Sequence, residues 1–328
     1  MFNNLYSLKK QYFFSFVLAI LSVIAAKSIE DIGVSTYYKE KATSFLKEDG
    51  YFDLDHVNAV QQLPMGNDPL VHFSMIDNSN YACIQSDHGN VVLYNIESNS
   101  VSSALKFGIL NDIRDAVVVD SSLILFTEDM SVYRSYAPFD SLHTTLLVEG
   151  NTSIKSAAIC HHALTHRLFI IGDPSESEIQ NAERSVYTYN LNKGIFNEKP
   201  LFTFDVSDLE VFAEKNHIKI NSFRMDEYGD TLMGLNFIPT SISVHPKTNE
   251  IYVLSSIDKS MAVFNQFGEL VNFAILSDRQ FSNPTGMTFN AFGDLFISNN
   301  DLMNNSIVKV NWNKLFQKKS TNSLIFGL

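Results

Sequence analysis

The stretch from Thr240 to Phe264 constrains the fold of this chain more than any other. It holds three short apolar runs, Ile242–Val244, Ile251–Leu254 and Met261–Phe264, separated by polar turns. Runs this short and this rich in β-branched and aromatic residues read as strands, because a helix needs a longer amphipathic stretch to bury one face. The same plan returns at Thr285–Phe289, Asp294–Ser298 and Ser306–Val310.

Three earlier units follow the pattern. The first has Val71–Ile76, Tyr81–Gln85 and Val91–Tyr94. The second has Ala116–Val119, Leu123–Phe126 and Val132–Tyr136. The third has Ile154–Ile159, Leu168–Ile171 and Val186–Tyr189. Turn residues punctuate them, as at Asp77–Asn80, Asp120–Ser122 and Pro246–Asn249. Weaker runs at Val101–Phe107, Thr144–Val148, Leu201–Asp205 and Leu270–Ile275 fit fourth strands on the outside of each unit. An outer strand is half exposed, so its apolar pattern thins. Repeated antiparallel meanders of this length predict an all-β chain forming a single β-propeller of four-stranded blades. Five blades are expected, with six as the alternative. A sixth would have to come from the polar segment Asp208–Leu232, which reads either as a degenerate strand pair or as a long loop over one face. Ring closure requires a terminal strand beside the last blade. Tyr51–Leu54 and Ser323–Phe326 are the candidates.

The N-terminus has the order of an export signal. Lys9 and Lys10 precede an apolar run from Tyr12 to Ala26, with small residues at Ala25 and Ala26 for cleavage. The expected organisation is a signal peptide over 1–26, a linker over 27–50 and the propeller over 51–328. The folded part is then periplasmic or secreted, and an uncleaved N-terminal segment is the one route to a membrane. A net charge of −12 disfavours nucleic acid and anionic lipid surfaces as partners. The two cysteines, Cys83 and Cys160, fall in different units, so buried free thiols are expected rather than a disulfide.

Four stretches carry a resemblance. They are Tyr51–Leu54 with Leu63-Pro64, Ala82–Gln85 and Asp87–Tyr94; Lys106–Gly108 leading into Asn111–Ala116; Val186–Leu191 with Lys199–Phe202; and Phe237–Pro246 through Asn283–Phe289. On these the chain resembles the SdiA-regulated (YjiK/CarP-like) family of exported bacterial β-propellers, over residues 51 to 312 or so. The resemblance implies a central channel approached by the inner strands, and cation binding, calcium above all. Where such proteins carry a Glu before the small residue opening an inner strand, this sequence has Arg114, Lys155 and Thr285. A Ser-Gly pair of the first unit reads Val71-His72, and an acid after the last inner strand reads Asn300. Asp87 is the acidic position that carries over.

Cations in place of carboxylates oppose a divalent ion. Arg114 and Lys155 together would instead form a basic spot at the channel, able to take an anion, beside Asp87, Asn299 and Asn300; the alternatives are that each cation pairs with a neighbouring acid such as Asp112, Asp115 or Asp173, and that the asparagines serve a turn. Metal candidates are Asp87, Asp115 and Asp301, with calcium as the cofactor to test and none firmly expected. His161, His162 and His166 read as a surface turn with outward-splayed rings and no matching carboxylate. His72 and His245 read as hydrogen-bonded structural residues. No nucleophile elbow or phosphate loop is present in the sequence. The expected function is therefore a non-catalytic binding or scaffold role at the cell envelope, with an unidentified envelope or extracellular ligand at the channel face. The alternative is a calcium-dependent hydrolase of the phytase or lactonase kind.

Overall fold

Five four-stranded antiparallel sheets make up the computed structural model. It describes residues 57–310, except 63–69, 77–79, 86–89, 96, 106, 108–109, 111–112, 138, 140, 150–154, 174–182, 221, 226–230, 277–280 and 301–304. The proposed signal and linker, the closure candidates Tyr51–Leu54 and Ser323–Phe326, and the site candidates Asp87 and Asp301 lie outside the described residues.

Blade 1 runs through Leu70–Met75, Asn80–Gln85, Asn90–Asn95 and Ser100–Leu105. Blade 2 has Ile113–Val119, Ser122–Thr127, Val132–Tyr136 and Thr144–Val148. Blade 3 has Lys155–His162, Arg167–Asp173, Glu183–Asn190 and Ile195–Asp205. Blade 4 has Pro239–Val244, Ile251–Ser255, Ser260–Phe264 and Leu270–Ile275. Blade 5 takes Pro284–Phe289, Leu295–Asn300 and Asn305–Val310 from the end of the chain. Its outer strand is Val57–Gln62, from the beginning. Val57 faces Val310 and Gln62 faces Ser306 across this seam. The first strands of successive blades lie side by side, and that of blade 5 returns to that of blade 1. The chain is a five-bladed β-propeller.

Five apolar clusters occupy the five gaps between blades. Ala82, Ile84 and Val91 of blade 1 meet Ala116, Leu123 and Leu125 of blade 2. Leu254, Met261 and Val263 of blade 4 meet Met287, Ile297 and Val308 of blade 5. Alternation explains how one strand serves two gaps. In Ile251–Ser255, Val253 turns to the blade 3 side and Leu254 to the blade 5 side. All five residues of that strand are buried, whereas no residue of Thr144–Val148 on the outside of blade 2 is. Cys83 and Cys160 are buried free thiols.

The segment after blade 3 is neither a blade nor a bare loop. It contains a helix, Val206–Lys215, and a two-stranded hairpin, Phe223–Met225 with Thr231–Met233. The Asp205 side chain caps the helix by accepting from the Ser207 N–H at 2.7 Å. Val206, Leu209 and Ala213 lie on its buried face, within the cluster between blades 3 and 4. Among the described residues no helix is long and apolar enough to cross a membrane.

Candidate functional site

Each first strand carries a bulge at its second or third residue. The partner register jumps between Leu70 and His72, Ile113 and Asp115, Ser156 and Ala158, Pro239 and Ser241, and Pro284 and Gly286. The skipped residues, Val71, Arg114, Ala157, Thr240 and Thr285, are therefore equivalent, one from each blade. The second strands end beside them. Because strands alternate in direction, the connections between blades reach this same end of the ring, as does the helix that follows Asp205. This end of the ring is the candidate site.

What the described positions present there is mostly hydroxyl. Thr240 Oγ1 lies 2.9 Å from Ser256 Oγ, and Ser256 Oγ donates to the Pro284 carbonyl of the next blade. Thr285 Oγ1 donates to the Leu70 carbonyl of blade 1 at 2.8 Å and meets Ser298 Oγ at 3.0 Å. In blade 2 the same place holds charge. Arg114 Nη2 donates to Glu128 at 2.5 Å, both side chains being roughly half exposed at 47% and 39%. The Arg114 cation is thus matched by its own blade.

Lys155 does not occupy the position equivalent to Arg114. It stands opposite Asp173, and the bulge of its strand falls at Ala157, two residues on. The register therefore separates the two cations that the sequence reading grouped. Asn299 is buried; its Oδ1 accepts from the Asn283 N–H at 2.8 Å, and its Nδ2 reaches Ser282 Oγ at 3.2 Å. Asn300 donates its backbone N–H to the Asn283 carbonyl. Both asparagines thus fasten the approach to blade 5.

Asp115 is the departure from the metal expectation. The bulge turns its carboxyl away from the ring end and into the gap between blades. There it accepts the Ala116 N–H at 2.7 Å and the Ile159 N–H of blade 3 at 2.8 Å. Burial pushes its pKa from 3.8 up to about 8, against the pull of those two donors. His72 of blade 1 lies 3.7 Å away through Nδ1. Burial, with the Arg114 charge second, takes His72 down to about 3, so its ring is neutral at physiological pH. The contact is a neutral bracket across three blades rather than an ion pair. Ser241 does the same work in blade 4, accepting the Met287 N–H of blade 5 at 3.0 Å. A calcium ion needs several unprotonated oxygen ligands converging. Asp115 does not fit that need, and among the described residues no three His, Cys, Asp or Glu side chains converge on one point.

One acidic pair escaped the sequence reading. Asp258, in the turn after the second strand of blade 4, is buried, and its pKa is raised by burial, with the Glu210 charge adding to the rise. Glu210, on the helix, accepts the Leu235 N–H at 2.8 Å. Asp258 reads in sequence as an ordinary turn residue, so only the helix packed nearby reveals it.

The histidines also differ from expectation. His161 and His162 are the last residues of a strand, not part of the turn. His162 is buried and stacks on Phe169 at 4.9 Å. The rings of His161 and His166 meet edge to face at 5.2 Å, and Asp120 of blade 2 supplies a carboxylate 3.6 Å from His166 Nε2. Burial, then His166, lowers His161 to about 4. His245 accepts the Thr248 N–H at 3.1 Å through Nδ1, a structural turn bond as anticipated.

No protein-family model matches the chain, and no curated protein matches it in sequence. Solved structures match it in fold. A glutaminyl cyclase from Myxococcus xanthus superposes with a TM-score of 0.50 at 10% identity, over 77% of this chain and 94% of that one. A chain of a nidogen/laminin complex gives 0.47 at 6% identity, over 71% and 73%. A streptogramin B lyase gives 0.44 at 9% identity, over 77% and 97%. Identities this low carry nothing of those proteins' chemistry over to this chain.

Proposed function

We propose that this propeller is a non-catalytic binding or scaffold protein of the SdiA-regulated type, acting at the cell envelope outside the cytoplasm and taking its ligand at the end of the ring where the first strands begin. The observation that carries the reading is the fate of Asp115. A carboxyl at a ring-end position has been turned into the gap between blades, where it brackets Ile159 and holds a raised pKa. The equivalent described positions offer Thr240 and Thr285, and Arg114 is matched by Glu128. Hydroxyls and a matched ion pair suit recognition of a polar surface through hydrogen bonds. They supply neither a nucleophile with its base nor a cluster of hard anionic ligands.

Calcium titration by calorimetry tests this. The expected result is no binding heat at millimolar calcium and an unfolding midpoint indifferent to chelator. Stoichiometric binding reversed by chelator would overturn the reading in favour of a calcium-dependent hydrolase. Export is tested separately by N-terminal sequencing of the protein recovered from outside the cytoplasm.

A further inference from the structure

The outer strand of blade 3 contains an irregularity with no counterpart among the other described blades. Its partner strand pairs Val186 with Phe202 but Thr188 with Asn197. One residue on the inner strand, Tyr187, thus stands opposite four, Glu198 to Leu201. Pro200 lies within this excursion and has no N–H to give a ladder, so the segment cannot pair flat against its neighbour. It arches off the sheet and leaves an open groove of about 470 Å³.

The groove floor is polar. Thr188, almost fully buried, accepts the Asn197 Nδ2–H at 2.6 Å. Arg167 reaches the groove from the second strand of the blade. Its Nε is shielded from solvent and has no acceptor among the described residues. Among the described residues no carboxylate forms an ion pair with Arg167, unlike Arg114, which has Glu128. Lys199 on the arch adds a second cation, Glu198 and Asn197 add acceptors, and Phe196 closes one side with its ring stacked on Tyr187 at 5.9 Å.

From this we infer that the arch of blade 3 is a binding site for a small hydroxylated oxyanion of sugar size, such as a sugar acid or sugar phosphate. Arg167 and Lys199 take the oxyanion. A guanidinium without an internal carboxylate gains most from a charged acceptor in a partly enclosed place. Glu198 and Asn197 accept from hydroxyl groups, and a groove of this volume has room for a sugar ring. The site is separate from the ring end, since Arg167 and Asn197 lie towards the opposite ends of their strands.

Calorimetry on the full-length protein with glucuronate, glucose 6-phosphate and glucose tests the assignment. Either oxyanion should bind with one-to-one stoichiometry, and glucose should bind at least about tenfold more weakly, the value of a charged hydrogen bond. Binding of only one oxyanion would support the site and identify the carboxylate or the phosphate as its source. Arg167→Gln should weaken binding about tenfold or more. Lys199→Gln, on the exposed arch, should weaken it too without moving the unfolding midpoint, and decides the matter if the first variant misfolds. No heat with either oxyanion at millimolar concentration, equal binding of glucose, or full binding by Lys199→Gln with Arg167→Gln either unchanged or unfolded would overturn the inference.

Discussion

Asp115 binds more than its own strand. Its carboxyl is the acceptor for a backbone N–H one blade away, so removing it leaves the Ile159 N–H buried without a partner. Asp115→Ala should destabilise the protein by about 1–3 kcal/mol in denaturant unfolding, the cost of a stranded donor. The pH dependence has a definite sign. A carboxyl whose folded pKa is raised from 3.8 to about 8 favours the fold fully below the lower value, and that contribution is lost as pH rises through the higher one. His72, lowered from 6.5 to about 3, acts with the opposite sign over an overlapping window, contributing above 6.5 and losing that contribution as pH falls towards 3, so the two offset each other below 6.5. Asp115→Asn should therefore abolish the loss of stability between about pH 6.5 and pH 8, where His72 no longer titrates, while leaving the acid limb in place. An unchanged slope in urea melts across that range would show that Asp115 is not the titrating group. Residue identity at this place could be read from the sequence; its direction could not. A bulge slips the strand by one residue and exchanges its faces. Nothing in the letters around Arg114 and Asp115 marks which of the two is skipped, and the same ambiguity placed Lys155 level with Arg114 although its strand bulges at Ala157.

Elements were legible to the degree that they are buried on both sides. The middle strands, such as Ser122–Thr127 and Ile251–Ser255, are continuous apolar runs because each face meets another blade. Ile195–Asp205 was seen only from Leu201 onward, since its first half is polar and its arch interrupts the alternation. The helix Val206–Lys215 was missed even though Asp205 is a good cap and Val206, Leu209 and Ala213 follow helical spacing. Its single apolar stripe is narrow and lies among acids, which makes the segment resemble a solvated loop. Asp205→Ala should lower stability by about 0.5–2 kcal/mol and expose this helix first to limited proteolysis. Proteolysis no faster than wild type would mean that packing against blades 3 and 4 alone holds the helix. In the turn of blade 5, Gly293 sits at φ +87, and an added Cβ would come within 2.7 Å of His245 Nε2 on blade 4. Gly293→Ala should consequently disturb the junction of those blades and lower the thermal midpoint, and an unchanged midpoint would show that the histidine yields freely.

At the scale of the molecule, the blade count and the need for a closing strand followed from the repeat itself. The closing strand, Val57–Gln62, begins just beyond the proposed Tyr51–Leu54, because a lone outer strand has too little apolar pattern to fix its own limits. Deleting the chain through Gln62 should leave Asn305–Val310 with an open edge, lower the thermal midpoint and yield soluble oligomers by light scattering. A monomer melting like the parent would mean that the seam contributes nothing. The seam also sets an order on biogenesis. Four blades are built from consecutive hairpins and can assemble in the order in which they emerge, but Val57–Gln62 must wait, unpartnered, until Asn305–Val310 has emerged as well. During that interval the nascent protein carries a bare strand at its front, and a holding chaperone has the most to protect at that moment.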